Sequence, residues 1–218
     1  MTTFLDDEDF FSIDGFFAKE LVDAVSEEMS DNPGQDFIDK HGVWQGKKIA
    51  TYRKMVSECW QYPNLSKMLY MVTDAFSRSD LRWHYVNYQL LYLPWDIHSD
   101  WESTGDRVTY YNLVIPLEDA EASTILFDQR LSGSRNFSDY KDNNQPLADP
   151  VPEDVWNQHL GMCWPHDRPY LSIREILPKQ RKGQLQGFRS DIIHSSDNFH
   201  EKMAGPKKFI QAMLSVPL

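Results

Sequence analysis

The chain has 218 residues, 41% of them hydrophobic and 13% aromatic, which is enough to bury one sizeable core and too much packing material for a disordered segment. Its 22 basic and 33 acidic residues leave a formal net charge of -11, which argues against a broad phosphate-binding face and so against nucleic acid as a partner. No window holds the run of about 18 apolar residues that a membrane span needs, and the start "MTTFLDDEDFF" is acidic where a signal peptide would be basic, so a cytoplasmic protein with no membrane partner is expected.

In chain order, "FFSIDGFFAKELVDAVSEEM" opens with a short apolar segment and a turn at Asp14-Gly15. Phe16, Phe17, Leu21 and Val25 then recur at helical spacing, as in an arm leading into an amphipathic helix. A second helix is expected in "PNLSKMLYMVTDAFSRS", where Leu65, Leu69, Val72 and Phe76 recur at steps of three and four. Cys59 and Cys163 stand far apart with no CxxC spacing and read as reduced, structural thiols. From residue 83 the period changes to two. "WHYVNYQLLYL" ends at Pro94, and "RVTYYNLVIPL" and "STILFDQ" follow with the same aromatic and branched character.

The stretch from 130 to 183 breaks this rhythm with polar, Pro-rich sequence and reads as a long insertion, with a short helix in "PEDVWNQHLGMCW" starting near Pro152. Lys179, Arg181, Lys182 and Arg189 at its end read as a solvated basic cluster. "GQLQGFRSDIIHSS" and "KKFIQAMLSV" are read as the two closing strands. The whole predicts one mainly β domain over 1–218: an N-terminal arm and helices at 1–82, then a double-stranded β-helix, the cupin-like jelly roll, from strands in 83–129 and 184–218, interrupted by the insertion. An open α+β sandwich is the alternative that strand periodicity leaves standing.

One triplet carries chemistry. His98-Ser99-Asp100 is the sole histidine with an acid two positions on, and about one such pair is expected by chance at this composition, so its surroundings decide. Two positions apart on an extended chain, imidazole and carboxylate project to the same side and can reach one ion. His194, after two apolar residues in "FRSDIIHSSDNF", would complete two histidines and one carboxylate on one face of that ion. Such a set leaves the opposite face open, which suits ferrous iron rather than a closed structural zinc. His200 is the rival third ligand, in a more polar context. His159 and His166 lie in the insertion, and His41 and His84 read as structural.

Taken in order, "FFSIDGFFAKELVDAV", "HSD", "YYNLVIPLEDAEASTILFD", "RSDIIHSSDNF" and "GPKKFIQAML" resemble the Fe(II)/2-oxoglutarate-dependent dioxygenases, in particular the prolyl-hydroxylase-like and phytanoyl-hydroxylase-like members. The resemblance covers most of the chain. It implies that His98, Asp100 and His194 are the metal and catalytic residues, that Fe(II), 2-oxoglutarate and O2 are used with ascorbate as reductant in vitro, and that a peptidyl proline, amino acid or other small molecule is hydroxylated with release of succinate and CO2. Asp100 also points to hydroxylation, because halogenating relatives replace this carboxylate.

The family's arginine for the distal carboxylate of 2-oxoglutarate is missing from the last strand. Lys208 is expected in its place, with Lys207 next and Arg189 after that. Tyr88 and Asn112 are further candidates to bind the co-substrate, if their strand faces point into the barrel. The insertion is expected to form a lid carrying Trp156, Trp164, Tyr170 and Arg174 toward a small-molecule or peptide substrate. The missing arginine keeps open a cupin-like metalloenzyme without oxygen chemistry, and a jelly-roll binding module in which the triplet is fortuitous is the third class.

Overall fold

The computed structural model describes residues 5–31, 59–132, 137–203 and 205–218, together with four two-residue strands at 36–37, 43–44, 47–48 and 51–52. Strand β1 (Phe10–Ile13) leads into helix α1 (Lys19–Asp31), and helix α2 (Pro63–Asp74) follows. The first turn of α2 leaves main-chain N–H groups without helical partners, and the Glu28 carboxylate on α1 accepts from two of them, Asn64 and Leu65, at 3.0 Å each. The Glu28 carboxylate thus ties α1 to the first turn of α2.

The longer strands that follow are β2 (Arg82–Leu91), β3 (Arg107–Pro116), β4 (Thr124–Arg130), β5 (Ile173–Ile176), β6 (Leu185–Arg189), β7 (Ile192–Ser196) and β8 (Lys207–Pro217), and the two-residue strand Ser103–Thr104 pairs with the start of β3. One antiparallel sheet runs β1-β6-β3-β8-β2, and a second runs β5-β4-β7. Leu91, Val114, Phe188 and Phe209 from the first sheet meet Leu126 and Ile192 from the second, so the two sheets close over one interior. This is the double-stranded β-helix.

Each sheet has its outer face covered by a different part of the chain. Phe17, Val22, Val25, Met29, Leu65, Met68 and Val72 of the N-terminal region pack on Val86, Tyr88, Leu113, Ile210, Ala212 and Leu214 of the first sheet. Phe137, Val151, Trp156, Leu160, Cys163 and Leu171 of the insertion pack on Ile125, Phe127 and Ile193 of the second. Most strands are therefore buried on both faces, which is why they read as near-continuous apolar runs.

Two boundaries differ from the sequence reading. "GQLQGFRSDIIHSS" forms two strands: β6 pairs with β3 and β7 pairs with β4, so the chain changes sheets at Ser190-Asp191. The stretch 130–183 is not all insertion, because β5 pairs with β4 within it. The insertion proper contains helix α3 (Phe137–Asp142), in a stretch that reads as polar loop, and helix α4 (Glu153–Leu160), which starts after Pro152.

Gly187 shows how tightly β1 docks. It stands opposite Phe11, and a Cβ built on it would lie 2.2 Å from the Phe11 ring. Gly187→Ala must push Phe11 out of the N-terminal core. The expected cost is about 1–3 kcal/mol, seen as a drop in melting temperature of roughly 2–12 °C for a domain of this size, and a melt of the purified variant checks it.

Candidate metal centre

Pro94 follows the end of β2, and the chain beyond it runs alongside β7. The Ser195 hydroxyl donates to the Trp95 carbonyl at 3.0 Å, and the Ser99 hydroxyl donates to the Leu131 carbonyl at 3.3 Å. Between these ties, His98 and His194 form a reciprocal main-chain pair. The His98 N–H donates to the His194 carbonyl at 3.1 Å, and the His194 N–H donates back at 2.8 Å. Residues opposite one another in an antiparallel pair project to the same face, so the two rings meet, with centroids 4.4 Å apart. The Asp100 N–H donates to the Ser190 carbonyl at 3.0 Å, and its own carbonyl accepts from the Thr109 hydroxyl at 2.9 Å. These bonds hold the carboxylate beside the rings.

His98 Nε2 lies 3.7 Å from Asp100 Oδ1, and His194 Nε2 lies 3.2 Å from Asp100 Oδ2. The three side chains present ligand atoms all within 4.8 Å of one another, and among the described residues no other group of three does so. Ligand atoms about 2.1 Å from one octahedral ion stand roughly 3 Å apart, so the set fits a single ion.

The tautomers fit as well. His98 Nδ1 donates to the Asp96 carbonyl at 2.6 Å and His194 Nδ1 to the Ile192 carbonyl at 3.0 Å, each two residues back, which leaves both Nε2 lone pairs facing the carboxylate. Desolvation, and then the facing His194 ring, hold His98 below the ordinary imidazole range, so its ring is neutral at pH 7 and ready to ligate. His200, the rival, is in a 3-10 turn with Nε2 4.0 Å from Glu201 and stands outside the group. His84 pairs with Glu102 at 2.9 Å, and His41 lies outside the described residues.

A cavity opens beside the triad, and His98, His194, Asn112, Gln211, Ser196 and Lys207 all line it. Lys207 is 3% exposed. Its Nζ donates to Ser196 Oγ at 2.9 Å and sits 4.9 Å from the centres of the Phe199 and Phe209 rings. Burial pulls the ammonium down to about 8, against the opposing pull of the Asp197 carboxylate.

Lys208 is not brought to this cavity. Being next along β8, it points to the other side of the strand, with Nζ 3.5 Å from Glu118 at the surface. Tyr88 is likewise corrected: it packs in the N-terminal core on the outer face of the sheet, while its neighbour Gln89 lines the cavity. Asn112 does face inward, and its amide donates to Asp100 Oδ2. Arg189 stacks on the Tyr110 ring at 4.1 Å instead of lining the cavity.

Sequence reasoning missed Gln89, Gln211 and Ser196. Gln211 carried the usable signal, as a polar residue in mid-strand four positions after Lys207 and so on its face.

Of the four residues expected to line a lid, Trp156 is buried in the insertion's own core and Tyr170 packs against that core. Arg174 pairs with Asp9 at 2.7 Å. Trp164, 65% exposed, lines a separate cleft of about 340 Å³ with Asp96, Lys141 and His166. No helix among the described residues is long and apolar enough to cross a membrane.

No protein-family model matches the sequence, and neither does any curated protein. Solved structures do match in shape. SnoK, a non-heme alpha-ketoglutarate-dependent carbocyclase from nogalamycin biosynthesis, is 13% identical over 98% of this chain and 81% of its own, with a TM-score of 0.59. HygX from Streptomyces hygroscopicus, solved with nickel and 2-oxoglutarate bound, is 14% identical over 97% of this chain and 84% of its own, with a TM-score of 0.56. The viral collagen prolyl hydroxylase of Paramecium Bursaria Chlorella virus-1 is 10% identical over 99% of this chain and 93% of its own, with a TM-score of 0.51. At these identities the likeness is one of fold.

Proposed function

We infer, from a chain that has the fold of the iron- and 2-oxoglutarate-dependent enzymes, that this protein is an Fe(II)- and 2-oxoglutarate-dependent oxygenase that hydroxylates a small-molecule or peptide substrate. The overall change is one in which 2-oxoglutarate, O2 and a substrate C–H bond become succinate, CO2 and a substrate hydroxyl. The observation that carries this reading is a cavity that joins the two imidazoles grouped with Asp100 to a buried lysine. A metalloenzyme that binds only a metal and a neutral substrate has no use for a cation on its cavity wall, where burial makes the charge costly to keep. The lysine thus favours the oxygenase over the cupin-like alternative.

His98, Asp100 and His194 would hold Fe(II) through two nitrogens and one oxygen, leaving the facing positions open. Iron so held, with oxygen and 2-oxoglutarate, supplies the oxidising power. The Lys207 ammonium binds the distal carboxylate of 2-oxoglutarate as a point charge. Ser196 Oγ accepts from Lys207 and so keeps its own proton to donate to the same carboxylate. Phe188, Phe209 and Val114 on the cavity wall exclude water and strengthen that pairing. Of the reactions the fold supports, hydroxylation is favoured over halogenation by Asp100, whose carboxylate occupies the place a halide would need.

The test needs no substrate. Anaerobic Fe(II) plus 2-oxoglutarate should give a weak visible charge-transfer band, and admission of air with ascorbate should yield succinate slowly. Neither should appear in a His98→Ala control. Metal binding without the band or succinate would point to the cupin-like enzyme, and no metal binding at all would point to a binding module.

A further inference from the structure

We propose that Gln89, Gln211 and Asn112 form an amide relay that positions Asp100, with its direction set by the Asp100 charge. The proposal rests on the metal-site reading of Asp100 and extends it to residues that do not touch the ion.

The argument is one of donors and acceptors. An ionised carboxylate can only accept, so every amide that meets it must turn its N–H toward it. Asn112 Nδ2 and Gln211 Nε2 both donate to Asp100 Oδ2, the latter at 3.4 Å, and Gln211 Nε2 also reaches Asn112 Oδ1 at 3.3 Å. With its nitrogen committed, Gln211 presents Oε1 to its other neighbour. Gln89 must then donate Nε2 to it, as it does. Gln89 Oε1 is left as an acceptor with no hydrogen bond, on a side chain 1% exposed that lines the cavity. The chain of three amides thus has one allowed polarity from end to end.

Two consequences follow for the site. Asp100 Oδ2 accepts from both the Asn112 and Gln211 amides, which fixes the plane of the carboxylate beside the two imidazoles. The cavity also becomes polar along its length. It presents donors at the Lys207–Ser196 end and an acceptor at Gln89, which turns the anionic ends of a co-substrate away from Gln89.

The experiment titrates Co(II) alone into the purified protein at about pH 8, with wild type, Gln89→Glu and Gln89→Met compared. A carboxylate at 89 cannot donate to Gln211, so the Gln211 amide turns to donate to it and presents oxygen to Asp100. The expected result is Co(II) binding weakened about 10- to 100-fold, the range seen when outer partners of metal ligands are changed. Methionine at 89 neither donates nor demands a donor, so the Gln211 amide keeps its nitrogen on Asp100 and the loss should be clearly smaller than that of Gln89→Glu.

The sign is diagnostic, because a negative charge added near a cation site would by itself tighten binding. Tighter binding by Gln89→Glu, or equal effects of Glu and Met, would overturn the relay. Should Gln89→Glu not fold, Gln211→Met, which removes a donor from Asp100, is expected to weaken Co(II) about tenfold, and wild-type affinity there would overturn the relay instead. Wild-type Co(II) binding that His98→Ala does not change would overturn the metal site together with the relay, which distinguishes the two failures.

Discussion

Protein carrying His194→Ala is expected to lose stoichiometric Fe(II), while His200→Ala retains it. Losing one of three ligands should cost more than the roughly 10- to 100-fold that changing an outer partner costs, so iron content after desalting falls from one per chain to near zero. The main-chain rung with His98 does not depend on the imidazole. The variant should therefore fold, and near-native melting would separate loss of the ligand from loss of the barrel. His200 is already excluded from the group by its position in the turn after β7, where its imidazole lies against Glu201. Full iron in His194→Ala with loss in His200→Ala would reverse the assignment.

The second large effect concerns the co-substrate. Lys207→Ala should raise the dissociation constant for 2-oxoglutarate by roughly 30- to several-thousand-fold, the equivalent of the about 2–5 kcal/mol that truncating one partner of a buried charge pair costs. Iron binding should be unchanged. Lys208→Ala should stay within about threefold, since its ammonium faces Glu118 with both side chains more than a third exposed, and such surface pairs are worth little.

The pH dependence follows from Lys207, whose ammonium burial holds at about 8. A carboxylate binds the protonated form. Below that pH the proton is already present and affinity is flat. Above it a proton must be taken up on binding, so the dissociation constant climbs toward tenfold per pH unit. Titration of 2-oxoglutarate against the iron-loaded protein without oxygen, from about pH 6.5 to 9.5, reads this slope. In Lys207→Ala the slope should vanish. A wild-type curve that stays flat across the range, or an alanine variant that keeps the slope, assigns the anchor elsewhere.

The triad was legible because residue type and order carried it: a histidine and an acid two apart after a strand, and a histidine inside a later apolar run. What was not legible was which way two strands face. Tyr88 and Lys208 were both one position off, and the errors are the same error, because β2 and β8 are neighbours in which Tyr88 stands opposite Ile210 and Lys208 opposite Leu90. Alternation normally settles facing, since one side of a strand is wet. Here the helices cover the outer side, so Ile210, Ala212 and Leu214 are as buried as the inward Phe209, and the pattern goes blank. Only an inward polar residue breaks the tie, as Gln211 does on β8 and Gln89 on β2. Strand β5 was hidden for a different reason: "IREI" is four residues long with two charges, too short to show a period, and its pairing with β4 is decided by the sheet.

The reciprocal bonds between His98 and His194 also bear on what an ion would do to the chain as a whole. The two residues are 194 − 98 = 96 positions apart. An ion held by both is a clip across a loop of that length, and for a loop of about 100 residues such a cross-link can remove roughly 4–5 kcal/mol of freedom from the unfolded chain. In this barrel the clip closes a loop that is already closed, by the rung itself and by the strand ladders on either side of it. The polypeptide meets the entropy of closure before any metal arrives. An ion bound there could thus come and go without the fold being assembled or dismantled around it.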